Sequence, residues 1–125
     1  MRGIVQAAES IVELICGYRY VTGNEIDLQE GLSRVFDLNH VSYLREYDLG
    51  PNSGRIDFFL PDSRIGVELK VQGSPTAVLR QLYRYTLSPG IDSLILVTAR
   101  ARLVLPDSTL NGKPLFSAAL WSGQF

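Results

Sequence analysis

Three charged side chains stand inside apolar, strand-like runs: Asp57 in "RIDFFL", then Glu68 and Lys70 in "IGVELKV". Charge in a buried strand is costly unless it is paired or bound to a metal. Side chains of an extended chain alternate, so Glu68 and Lys70 share a face, with Gly66 beside them. A neighbouring strand can bring Asp57 across from them. Two adjacent carboxylates repel unless a cation lies between them. A hard divalent ion with oxygen ligands, Mg²⁺ or Mn²⁺, is the natural occupant, with Asp57, Glu68 and the backbone carbonyl of Leu69 as ligands. Lys70 is then placed to orient or deprotonate a water, or to neutralise charge building up on a phosphate. Gly66 is expected to leave room for a substrate backbone. The plainer alternative is a cross-strand pair on a wet sheet face, with Asp57 capping the preceding turn.

A helix follows at once. Ser74 is its expected cap and Pro75 lies in its first turn; it runs to about Leu87, before Pro89. Val78, Leu79, Leu82 and Thr86 mark its packed side. Gln81 and Tyr85 lie four apart on one flank, in reach of a substrate or the acids, and Arg84 and Arg80 lie further round as bidentate phosphate donors. The N-terminus of this helix favours a phosphate nearby.

Upstream, Ile4, Ala8, Ile11, Val12 and Ile15 give a helix over 3–15, with Gly17 as its stop. A second helix is expected over 24–36, packed through Leu28, Leu32, Val35 and Phe36. Thr22 and Glu25 have capping-box spacing. At about 100° per residue, Glu25 shares the side of Leu28 and Leu32 while Glu30 points away. Strands are expected over 41–47, 55–60 and 64–71, the last two as a hairpin about "PDS". Ile56, Phe58 and Leu60 should share one face, and Asp57 and Phe59 the other. "SLILVTA" reads as a buried strand over 93–99, and a last strand is expected over 114–121, where Trp121 is a core or interface anchor. The sum is one α/β domain over 1–125, with a mixed central sheet flanked by helices.

Composition narrows the chemistry. With 125 residues, 46% hydrophobic and 20% charged, the chain can build one core without staples. Its net charge is -1, so any nucleic-acid contact must come from a local basic patch or from metals offsetting acids. The single cysteine, Cys16, rules out an internal disulfide; it is expected in the core, and a reducing, cytoplasmic setting fits. Glu9 and Glu13 break up any signal-peptide pattern, and no segment is apolar enough for a membrane. His40 is the only histidine, which excludes a histidine-based zinc site and leaves Ser53, Ser74 and Ser88 without a base. "GPNSG" lacks the lysine of a phosphate loop. Arg100 and Arg102 are either contacts to a nucleic-acid backbone or ordinary surface charges.

Asp57 in "GRIDFF", Glu68 and Lys70 in "GVELKV", and Gln81 with Tyr85 in "QLYRY" together resemble the motifs of the PD-(D/E)XK nuclease superfamily, the last as in its RecB-like branch. The resemblance covers roughly 25–98, with Ile56 where the name-giving proline stands. It implies a restriction-endonuclease-like α-β-β-β-α-β core and a metal-dependent nuclease that hydrolyses phosphodiester bonds, with DNA the expected substrate. Asp57, Glu68 and Leu69 would bind Mg²⁺ or Mn²⁺, and Lys70 would act on the attacking water or the transition state. Gln81, Tyr85, Arg84 and Arg80 would position the strand. Many members place a glutamate on the preceding helix. Glu25 is the choice here, against the competing expectation that it only completes the cap with Thr22. The resemblance implies a setting such as DNA repair, recombination, restriction or replication in a prokaryote or phage without choosing among them. The small size of the chain implies a homodimer or a place in a larger replication or repair assembly. The rivals are a non-catalytic nucleic-acid-binding or assembly module that keeps the fold, and a plain interaction domain without metal.

Overall fold

A computed structural model describes residues 2–120. Trp121 lies outside the described residues. Three helices, α1 (Arg2–Cys16), α2 (Glu25–Leu38) and α3 (Pro75–Thr86), accompany six strands: β1 (Leu44–Asp48), β2 (Arg55–Leu60), β3 (Ile65–Leu69), β4 (Ser93–Thr98), β5 (Ser108–Leu110) and β6 (Lys113–Ala119). The strands form one mixed sheet in the order β1-β2-β3-β4-β6-β5. β1, β2 and β3 make an antiparallel meander, and β4 runs parallel to both β3 and β6. The fold is α/β. Among the described residues no helix is long and apolar enough to cross a membrane.

Two cores sandwich the sheet. On one face Ala8 and Ile15 of α1 and Leu28, Leu32 and Phe36 of α2 pack over Phe58, Val67, Leu69, Ile95 and Val97. On the other, Val78, Leu82 and Tyr85 of α3 pack over Ile56, Phe59, Leu94, Leu96 and Leu115. β3 and β4 are therefore buried at every residue, and α3 supplies the crossover that a parallel pair needs.

Local chemistry sets the element ends. Ser74 Oγ accepts from Ala77 N–H at 3.1 Å, with Pro75 following in the first turn, as expected for α3. At α2 the cap is Asn24 rather than Thr22. Asn24 Oδ1 accepts from Asp27 N–H at 2.8 Å while its Nδ2 donates to Asp27 Oδ2 at 3.0 Å. The Thr22–Glu25 box does not form, because Asn24 takes the extended cap conformation and Asp27 takes the third helical position. Leu79 is exposed and Tyr85 takes its place in the packed arc with Val78, Leu82 and Thr86. Cys16 is exposed too, one helical step beyond the buried Ile15. β5 was not expected; it joins β6 through Asn111 and Gly112, at φ 53° and 78°, the positive pair of a two-residue hairpin turn.

The alternation expected along β2 breaks at Asp57. Phe58 pairs with Val67 and Phe59 with Gly66, each pair facing its own core. Ile56 nevertheless turns to the α3 side, and its Cδ1 lies 2.5 Å from where a Cβ on Gly66 would stand. Ile91 and Leu94 crowd the same point, so Gly66 makes room for packing and not for a substrate. In β1, Arg45 faces Phe58 and Tyr47 faces Ile56, which puts Glu46 across from Asp57; Glu46 holds a φ of 51°. A left-handed glutamate is uncommon and marks strain.

Candidate metal and catalytic site

The β2–β3 ladder ends at the Phe58–Val67 rung, and side chains take over from there. Leu69 N–H donates to Asp57 Oδ2 at 2.9 Å, and Asp57 N–H donates to Glu68 Oε1 at 3.3 Å. Lys70 Nζ lies 3.4 Å from Glu68 Oε2. The two acids and the ammonium group therefore converge where the strands part. Lys70 N–H closes the β3–β4 side by donating to Val97 O at 3.0 Å. Glu68 is 3% exposed, so the wet-face pair does not describe it, and Asp57 caps strand backbone rather than a turn. In an extended residue N–H and C=O point to the same edge, so the Leu69 carbonyl faces β2 with its N–H.

Burial, then the neighbouring Asp57 charge, pushes the Glu68 carboxyl up to about 8; Lys70 and the Asp57 N–H only partly oppose this. Asp57 is also raised by burial, against the pull of the Leu69 N–H and Lys70. Glu25, half-buried in the first turn of α2, is raised by its own desolvation; Lys70 lowers it and Asp57 raises it. Glu25 is thus within electrostatic range of the pair and carries no capping bond. Glu30 is turned outward, with Oε1 2.9 Å from Arg45 Nη1.

Tyr85 corrects an expectation. At 0% exposure it cannot meet a nucleic-acid strand. Its place at the centre of the buried arc of α3 explains why, and burial followed by the Glu68 charge raises its hydroxyl. The hydroxyl donates to Arg55 O at 3.0 Å and accepts from Gln81 Nε2 at 2.8 Å. Tyr85 is a strut under β2, and the Gln81 amide N–H steadies it. Arg80 and Arg84 lie exposed on the outer side of α3. Arg100 Nε bonds Val71 O at 2.8 Å and Arg102 bonds Gly73 O, so both brace the loop ahead of α3.

Gln29 was missed. Its Nε2 donates to Asp57 Oδ1 at 3.1 Å. The available signal was its place four residues after Glu25, on the same side of α2. Among the described residues no three His, Cys, Asp or Glu side chains are arranged to hold a metal ion. Asp57 and Glu68 are a two-carboxylate set. Such a set, with a carbonyl, suits a small hard ion that keeps several waters and takes its other ligands from substrate phosphates. A buried glutamate with a like charge beside it is the situation that such an ion relieves. Comparison with protein-family models, with curated proteins and with solved structures finds no match.

Proposed function

We propose that this chain is a metal-dependent nuclease with a restriction-endonuclease-like core, hydrolysing phosphodiester bonds in nucleic acid, with DNA as the first substrate to test. One observation carries the reading: Asp57, Glu68 and Lys70 converge at the point where β2 and β3 part. The succession α2, β1–β3 meander, α3, β4 supports it as well, since it follows the order that the PD-(D/E)XK resemblance implies.

Asp57 and Glu68 would hold the ion, with the Leu69 carbonyl as a further oxygen ligand. A bound Mg²⁺ or Mn²⁺ supplies Lewis-acid polarisation of the phosphate and a more acidic bound water. Lys70 Nζ, at the rim of the gap and paired with Glu68, would donate to a phosphate oxygen or orient the attacking water. Glu25 approaches from α2 and orients that water. The Gln81–Tyr85–Arg55 chain holds the start of β2, and with it Asp57, in place. Arg84 and Arg80 offer guanidinium groups to the nucleic-acid backbone.

A second reading has its own support: the carboxylates already satisfy the backbone N–H groups of Asp57 and Leu69, so the network can close the gap as structure alone. In that case the chain is a non-catalytic module of the same fold. A panel of linear, circular, single-stranded, flap and four-way-junction DNA and RNA, with Mg²⁺ or Mn²⁺ and with EDTA, decides between them. The nuclease cuts at least one substrate, stops in EDTA and is inactive as Lys70→Ala. Mn²⁺ uptake without cleavage of any substrate removes catalysis from the reading.

A further inference from the structure

We propose that Gln29 is the positioning residue for Asp57, and that Arg45 on β1 sets which way the Gln29 amide faces. For its consequence in metal binding the inference rests on the nuclease reading; the orientation of the amide does not.

A glutamine amide has one accepting end and one donating end, and the two look alike in shape. Arg45 removes the ambiguity. Its Nη2 donates to Gln29 Oε1 at 2.7 Å, and a guanidinium can only donate. The Gln29 carbonyl must therefore face Arg45, which leaves Nε2 to face Asp57 Oδ1 at 3.1 Å. Arg45 is itself held twice, by Glu30 Oε1 at 2.9 Å and by the Phe58 ring, whose centroid lies 5.7 Å from its guanidinium carbon. Phe58 is the neighbour of Asp57 in β2 and pairs with Arg45 across the β1–β2 ladder. Helix α2, strand β1 and strand β2 are thus joined by one run of donors that ends on Asp57.

The run matters because of what it leaves at the carboxylate. Gln29 takes one lone pair of Oδ1 and Leu69 N–H takes one of Oδ2. Two donors on two oxygens fix the plane of the group, and each oxygen keeps a second lone pair for a ligand. Without Gln29 the carboxylate is held by one oxygen and can rotate. Partners that orient a metal-binding carboxylate typically contribute about 10–100-fold to metal affinity.

The test uses the full chain. Without metal, the Gln29 side-chain amide pair is followed by ¹⁵N–¹H NMR in wild type, Arg45→Met and Asp57→Asn. Both substitutions shift or broaden the pair; a pair unmoved by Arg45→Met overturns the proposal. With metal, Mn²⁺ uptake is titrated calorimetrically in wild type, Gln29→Met, Arg45→Met and the double variant. Gln29→Met, nearly isosteric and without a donor, weakens binding about tenfold, and adding Arg45→Met costs nothing more because the two act in series. Wild-type affinity in Gln29→Met, or additive losses in the double variant, overturns the proposal. Wild type that takes up no Mn²⁺ overturns the metal half together with the nuclease reading, and the amide spectra still decide whether Arg45 orients Gln29. Should Arg45→Met fail to fold, Glu30→Gln loosens the same guanidinium and is read by the same amide pair.

Discussion

β3 has two edges, and they are built differently. Toward β4, five consecutive residues from Ile65 to Leu69 pair with Ser93 to Val97, and the backbone of Lys70 adds one more bond. Toward β2, pairing stops at Val67, and Asp57 and Glu68 carry the backbone bonds from there. The first edge is closed by backbone pairing along its whole length. The second exchanges main-chain acceptors for carboxylates, which can accept from the backbone and still have lone pairs to offer. A sheet that opens in this way gains a polar gap at the cost of burying charge. The raised Glu68 shows that the cost is not fully offset within the protein.

Substitutions on the two edges should therefore do opposite things. On the open edge, Asp57→Asn keeps the shape and removes the proposed ligand; on the nuclease reading Mn²⁺ uptake should be lost and cleavage should fall by about a thousandfold or more, while the fold survives. On the closed edge, Ile95→Ala leaves the acids untouched and opens a cavity in the core, so stability drops by about 2–5 kcal/mol and the folded fraction still takes up metal. Denaturation curves and Mn²⁺ titrations on both variants check the pair. The contrast breaks if Asp57→Asn unfolds the protein, or if Ile95→Ala loses metal binding at full foldedness.

The pH dependence sharpens the same contrast. Glu68 is raised from an ordinary value of 4.5 to about 8 in the folded, metal-free protein. An acid raised by folding binds its proton more tightly in the folded state. Its contribution to stability is therefore complete below about 4.5 and is lost as pH rises through about 8. Glu68→Gln should flatten that decline in thermal melts. On the nuclease reading a metal must displace this proton, so Mn²⁺ affinity should climb by up to about tenfold per pH unit until about 8, then level off.

How legible this was follows the same division. The closed edge could be read directly, because "SLILVTA" and the alternation of Ile65, Val67 and Leu69 are properties of single segments. The acids and Lys70 could be picked out as misplaced charges. What could not be read is how two segments adjust to each other. The turn of Ile56 toward α3 depends on the space above Gly66, and that space exists only once α3 and β4 are packed. The depth of Tyr85 depends on helix phase, which its flank position beside Gln81 left open. β5 is a different case: three mostly polar residues carry no period, and only the "NG" that follows them marked a hairpin.

On the outer surface the effects should be smaller. Arg80→Ala with Arg84→Ala removes the two proposed phosphate donors and should weaken nucleic-acid binding several-fold, with a shallower salt dependence and no change in Mn²⁺ uptake. A loss of metal binding in this pair would mean that α3, rather than the strand edge, governs the site.

The smallest effect tests the link between α2 and the gap. Asn24 caps the helix whose first residue is Glu25, and Asn24→Ala should cost about 1 kcal/mol of stability. The loss falls on the first turn, where Glu25 sits; Gln29, one turn further in, keeps its bond to Asp57. Three variants then order the contributions of α2. Glu25→Gln removes the charge but not the helix, Asn24→Ala loosens the end of the helix but keeps the charge, and Gln29→Met removes the bond to Asp57. If Glu25 orients the attacking water, Glu25→Gln lowers kcat and leaves Mn²⁺ affinity nearly unchanged, Asn24→Ala gives a weaker version of the same loss, and Gln29→Met acts mainly on Mn²⁺ affinity. A Glu25→Gln variant with full activity would leave Gln29 as the contact through which α2 serves the site, and would reduce Glu25 to a helix-terminal charge.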